Sequence, residues 1–90
     1  MKLYILRPQD NLPEDDNPWE PWYDKAFGFI VQAETLEEAR MLAHMEAGDE
    51  NRKRVTYEEQ TPWLDSRYST CQELKPRDTS SVIMRDFASA

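Results

Sequence analysis

The chain has 90 residues, a mass of 10.7 kDa and a formal charge of −7, from eighteen acidic side chains against eleven basic ones. That length fits one domain, residues 1–90, and the acidity argues against a general nucleic-acid binder, which needs a basic face for phosphates. A single cysteine, Cys71, excludes an internal disulfide framework, and the apolar runs are far too short for a membrane span. The N-terminus lacks the long apolar stretch and small-residue cleavage site of a signal peptide, so the expectation is a cytoplasmic protein.

Leu3-Tyr4-Ile5-Leu6, stopped by Pro8, predicts a strand over 2–7. Both of its alternating faces are apolar, which suits a strand covered on both sides. Residues 8–24 carry Pro8, Pro13, Pro18 and Pro21, which remove backbone donors and disfavour helix at each preceding residue. This long connection also holds Trp19, Trp22 and Tyr23, and exposing all three to water would be costly, so an ordered loop pinned by its aromatics is expected. Ala26 to Ala33 reads as a second strand, in which Gly28 marks a bulge or the close approach of another element. Thr35-Leu36-Glu37-Glu38 is a capping box that opens a helix over 36–47, with Gly48 as its left-handed stop. Leu36, Ala39, Leu42, Ala43 and Ala47 share the stripe expected to face the sheet, leaving Met41 and Met45 among Glu37, Glu38 and His44.

Val55-Thr56-Tyr57 reads as a short edge strand, and Pro62-Trp63-Leu64-Asp65 as a turn that drops Trp63 and Leu64 onto the core. Thr70 to Leu74 and Ser81 to Phe87 read as a strand pair around a five-residue connection. The order β-β-α-β-β implies an α+β domain with a mostly antiparallel sheet of about four strands and one helix on one face. If the strands flanking the helix were parallel neighbours, it would form a right-handed crossover.

Catalytic chemistry finds little support. One His and one Cys allow a Cys–His pair by arithmetic, but His44 falls on the polar helix face and Cys71 in a strand, as an inert buried thiol. Two glycines cannot build a phosphate cradle, and the doublets Asp15-Asp16, Glu37-Glu38 and Glu58-Glu59 follow from composition. One His and one Cys are too few for a zinc site. Calcium could use Asp10, Glu14, Asp15 and Asp16, but these lack EF-hand spacing, and a solvated acidic loop is the simpler reading. No cofactor is implied. The basic triplet Arg52-Lys53-Arg54 is flanked by acids and makes a poor phosphate footprint.

Two features remain. Residues 8–24 hold six acidic side chains and no basic one, so six of the seven net charges correspond to one loop, whereas 63–90 is neutral. Within it Asp10, Glu14, Asp15, Asp16, Glu20 and Asp24 are interleaved with Trp19, Trp22 and Tyr23, residue types that serve as binding anchors when they face outward. The alternative is that Trp19 and Trp22 fold inward over an open sheet edge. The second feature is the Met41/Met45 pair, four residues apart, which would form adaptable anchors or scattered surface apolars.

The stretch from Asn17 to Thr35 resembles small uncharacterised bacterial and prophage proteins, as do Pro62 to Asp65, Ser69 to Leu74 and Val82 to Phe87. That resemblance implies a compact α+β fold and a phage connection, and it transfers no catalytic residue. Taken together, the expectation is a non-enzymatic binding module. It would be a phage-type inhibitor of a nucleic-acid-handling host defence complex, in the manner of anti-CRISPR or DNA-mimic proteins. The acidic residues of 10–24, joined by Glu37 and the anchors Met41 and Met45, would occlude a basic protein surface, without direct nucleic-acid or membrane binding. The alternative is a self-associating accessory protein whose homodimer seam uses Met41, Met45 and an edge strand.

Overall fold

A computed structural model describes residues 1–20, 22, 24–53 and 56–86 of the chain. Three strands form an antiparallel sheet: β1 (Lys2–Pro8), β2 (Phe29–Ala33) and β3 (Ser69–Glu73), in the order β2-β1-β3. One helix, α1 (Leu36–Glu46), follows β2. Two single turns of 3-10 helix, Glu14–Asp16 and Asp49–Asn51, lie in the connections.

The registers Tyr4↔Val31 and Leu6↔Phe29 on one side of β1, and Leu6↔Cys71 on the other, decide which side chains share a face. Tyr4, Leu6, Phe29, Val31, Ala33, Ser69 and Cys71 line the face beneath α1. Leu3, Ile5, Arg7, Ile30, Gln32, Thr70 and Gln72 line the opposite face, where Leu3 and Ile30 are exposed. The apolar doubling of β1 therefore does not mean cover on both sides. The helix covers one face, and on the other a groove of about 370 Å³ separates the sheet from the C-terminal segment, with Ile83 lining it alongside Ile5, Arg7 and Thr70.

The expected fourth strand is absent across 81–86, and Phe87 lies outside the described residues. Regular pairing there would send either Arg85 or Asp86 toward a buried face, and the segment stays irregular and exposed instead. The helix does connect two parallel strands, but β1 lies between them, so they are not neighbours. The expected short strand at 55–57 is also not found. Thr56 sits in a turn and Tyr57 adopts φ 57°, while Val55 is outside the described residues. What remains there is an isolated bridge between Arg52 and Glu59.

The helix begins as its sequence dictates. Thr35 Oγ1 accepts the Glu38 N–H at 3.1 Å, and the Glu38 carboxylate reaches back to the Glu34 N–H, one residue before the cap, at 3.3 Å. Its inward stripe is narrower than expected: Ala39 and Ala43 are fully buried, whereas Leu36 and Leu42 lie at the margin. Small residues let the helix approach the sheet closely. Arg40 fills the flank toward β3, where its guanidinium donates to the carbonyls of Trp63 (2.8 Å) and Ser69 (3.0 Å) and to Ser69 Oγ (2.7 Å). Gly48 is needed for a different reason from the one its position suggests. Its φ is −101°, so it is not left-handed, but a Cβ there would collide with the Asp24 carbonyl oxygen. Gly28 likewise marks close approach, since a Cβ would lie 3.1 Å from the Leu6 carbonyl oxygen.

Trp63 is the centre of the core. Its fully buried ring meets Trp19 edge-on at 4.8 Å and Phe29 at 4.9 Å between centroids. Its indole N–H donates to Glu50 Oε2 at 2.9 Å, and the same oxygen accepts the Ala26 N–H at 2.9 Å. Glu50 Oε1 accepts the Gly48 N–H at 2.8 Å. A fully buried carboxylate thus ties together the entry to β2, the end of α1 and the core tryptophan.

Candidate functional site

The acidic loop is fastened to the chain just before β3. Backbone and side chain converge on one carbonyl: Tyr68 O accepts the Gln9 N–H at 2.8 Å and the Trp19 indole N–H at 3.1 Å. Lys25 Nζ donates to the Trp19 carbonyl at 2.6 Å, and Asn17 Oδ1 accepts the Trp19 N–H at 3.0 Å. Pro18 is buried beside it. Trp19 therefore folds inward, with 6% of its surface exposed, and is removed from the set of surface anchors. The physical reason is that its indole N–H finds a carbonyl inside while its ring packs on Trp63, so burial leaves nothing unsatisfied.

With Trp19 as the pin, Glu14, Asp15, Asp16 and Glu20 stand along the wall of a cleft of about 590 Å³. Trp22, half-buried, lines the same cleft together with Tyr68, Lys53 and Gln60. The Tyr68 hydroxyl donates to Asp16 Oδ1 at 2.5 Å, bracing the carboxylate wall against the sheet. That hydrogen bond, with partial burial, raises the Tyr68 hydroxyl above its ordinary pKa of 10.0. Among the described residues that line it, four carboxylates stand against one ammonium, that of Lys53, which makes this lining electronegative. Nearby, the Arg67 backbone N–H and guanidinium hold the Asp65 carboxyl below its ordinary value of 3.8.

The other expected site residues are not brought here. Asp10 and Asp24 are exposed beyond the cleft, Asp24 being held through its carbonyl, which accepts the Asp49 N–H at 2.7 Å. Glu37, Met41 and Met45 lie on α1, outside the cleft lining, and Tyr23 falls outside the described residues. Tyr68, Lys53 and Gln60 escape sequence reasoning. The Tyr68–Asp16 contact spans 52 positions, and no spacing rule signals it.

Neither titratable candidate for nucleophilic chemistry gains support. Burial raises the Cys71 thiol, which disfavours the thiolate. His44 is more buried than a solvated surface residue, and its Nε2 lies 3.7 Å from the Glu59 carboxylate. Among the described residues, no group of three or more His, Cys, Asp or Glu side chains is placed to hold a metal ion. No helix among them is long and apolar enough to cross a membrane. No protein-family model matches this chain, and comparisons with curated proteins and with solved structures return no match either.

Proposed function

We propose that this protein is a non-enzymatic, cytoplasmic binding module that docks its acidic cleft onto a basic, phosphate-binding surface of a protein partner. The carrying observation is the cleft itself: Glu14, Asp15, Asp16 and Glu20 line it with the half-buried Trp22, and Lys53 is the one basic side chain among its described lining residues. Oriented carboxylates on a loop stiffened by Pro13 and Pro18 need little reordering on docking, and the partly exposed Trp22 ring supplies an apolar anchor. Such a surface competes with nucleic acid for the Lys and Arg groups that hold phosphates. It fits the phage-type role of an inhibitor of a nucleic-acid-handling host defence complex. Glu37, Met41 and Met45 are not needed for this docking mode.

The test uses an arginine-rich peptide of about ten residues as the basic probe. Affinity should fall by about tenfold between 50 and 200 mM salt, as expected for solvent-screened charge pairs. The double variant Asp15→Asn/Glu20→Gln should bind several-fold more weakly than Asp78→Asn/Asp86→Asn, which removes the same charge from the C-terminal segment. Equal losses from the two variants, or salt-independent binding, would overturn the reading.

A further inference from the structure

The two edges of the sheet are guarded very differently. At β3, Ser69 has its N–H donated to the Asp65 carbonyl and its own carbonyl taken by Arg40, so the edge is closed at its start. Its far end carries Glu73, paired with Lys2 and Lys75 at 3.8 Å each, and is followed by Pro76. Charges and proline are the usual guards of an exposed edge. β2 has none of them: from Ala26 to Ala33 the sequence Ala-Phe-Gly-Phe-Ile-Val-Gln-Ala contains no charge and no proline.

The hydrogen-bond alternation of β1 identifies the free groups on β2. The Leu74 N–H donates to the Leu3 carbonyl and the Gln9 N–H to the Tyr68 carbonyl, so odd-numbered residues of β1 bond to β3 and even-numbered ones to β2. On β2, therefore, Phe29, Val31 and Ala33 bond inward, and Ile30 and Gln32 turn their N–H and C=O groups to the outer edge. Nothing in the sheet lies beyond them. Exposed apolar side chains flank this edge on both faces. Ile30 is 56% exposed on the open face, and Phe27 precedes the strand with 61% exposed. On the other face, Arg40 marks the β3 flank of α1, so the opposite flank, which carries the partly exposed Leu42, lies toward β2.

We propose that the outer edge of β2 is the docking surface for a second copy of this chain, joining two sheets into one six-stranded antiparallel sheet across a two-fold axis. The occupant follows from self-complementarity. Antiparallel pairing of Phe29–Ala33 with itself at full overlap places Val31 on the axis opposite its own copy. Ile30 then stands opposite Gln32 of the second copy, so the free backbone groups of both residues pair reciprocally. In that register no charged residue of the strand opposes another, and Phe29 faces the small Ala33. The acidic cleft, on the β3 side of the molecule, is left open, so this inference stands independently of the proposed function.

Light scattering after size exclusion, run from micromolar to millimolar protein, reads the assembly. The mass should climb from 10.7 kDa toward twice that value. Ile30→Lys brings two ammonium groups to diagonal positions across the axis and should weaken dimerisation by tenfold or more, with an unchanged circular dichroism spectrum. Val82→Lys, on the exposed C-terminal segment, should leave the dimer unaffected. Amide hydrogen exchange supplies the register: Ile30 and Gln32 should gain protection as concentration rises, whereas Cys71 and Glu73 should not. A mass that stays at that of the monomer with fast exchange at Ile30 and Gln32 would overturn the proposal. So would a dimer that protects Cys71 and Glu73 instead.

Discussion

Replacing Glu50 gives the sharpest test of how this small core holds together. Its carboxylate accepts N–H groups from Trp63, Ala26 and Gly48, at 2.9, 2.9 and 2.8 Å, and is fully shielded from solvent. Glu50→Gln keeps shape and volume but leaves one oxygen. Turned so that this oxygen serves Trp63 and Ala26, the amide nitrogen faces the Gly48 N–H, donor against donor. An orphaned donor costs about 1–3 kcal/mol when fully buried, and the Gly48 N–H, in a part-buried contact on an exposed residue, sits at the low end of that range. Glu50→Leu orphans all three, the Trp63 N–H in a fully buried position and the other two in part-buried ones, at about 3–6 kcal/mol by the same measure. A domain of this size has roughly 5–13 kcal/mol in total, so the leucine variant should be marginal and the glutamine variant clearly weakened. Urea denaturation followed by tryptophan fluorescence is the assay, because Trp19 and Trp63 are both buried and report directly. With a slope of about 1–2 kcal/mol per molar urea, Glu50→Gln should lower the midpoint by about 0.5–1 M. Midpoints for both variants within about 0.3 M of the parent would refute the view that this carboxylate unites three segments.

Three further outcomes follow from the same packing. Gly48→Ala drives a methyl group into the Asp24 carbonyl and breaks the Asp49–Asp24 hydrogen bond, so the melting temperature should fall by roughly 10 °C or more; an unchanged value would contradict it. Tyr68 is held protonated by Asp16, so ultraviolet titration should show a tyrosine ionising above 10.0, and its raised pKa stabilises the fold below that pH and less as pH rises through the folded value. In Asp16→Ala that tyrosine should titrate lower, and superimposable curves would remove the interaction. Asp65 has the opposite sign: its depressed pKa adds stability above 3.8 that is lost as pH falls through the folded value, so Asp65→Asn should narrow the difference in urea midpoint between pH 7 and pH 3. An unchanged difference would contradict the Asp65–Arg67 pairing.

What the sequence makes legible is local, and what it conceals is long-range. The capping box at Thr35 and the apolar runs of β1 and β2 are contained in a few consecutive residues; α1 and β1 form within a residue of their expected bounds, whereas β2 begins at Phe29, three residues later than the expected Ala26. The fourth strand fails because periodicity in Val82-Ile83-Met84 says nothing about whether Arg85 and Asp86 can be accommodated beside β3. Glu50 reads as one more surface acid in a charged stretch. Its burial depends on donors 2, 13 and 24 positions away, which only the fold brings together. Trp19 and Trp22 look equivalent in sequence, yet one closes the core and the other lines the cleft, because only Trp19 finds an internal carbonyl within reach. Localised acidity in residues 8–24 is visible from composition. Its shaping into a cleft is not, since Tyr68, Lys53 and Gln60, distant in sequence, complete the lining.

Chemical-shift mapping of the labelled protein during titration with the arginine-rich peptide tests the proposed docking surface most directly. The account predicts saturable shifts at the amides of Glu14, Asp15, Asp16, Glu20, Gln60 and Tyr68 and at the Trp22 indole, collapsing at high salt, with the Trp63 indole unmoved. Shifts concentrated along β2 or α1, or scattered evenly over the acidic residues of the whole chain, would contradict it.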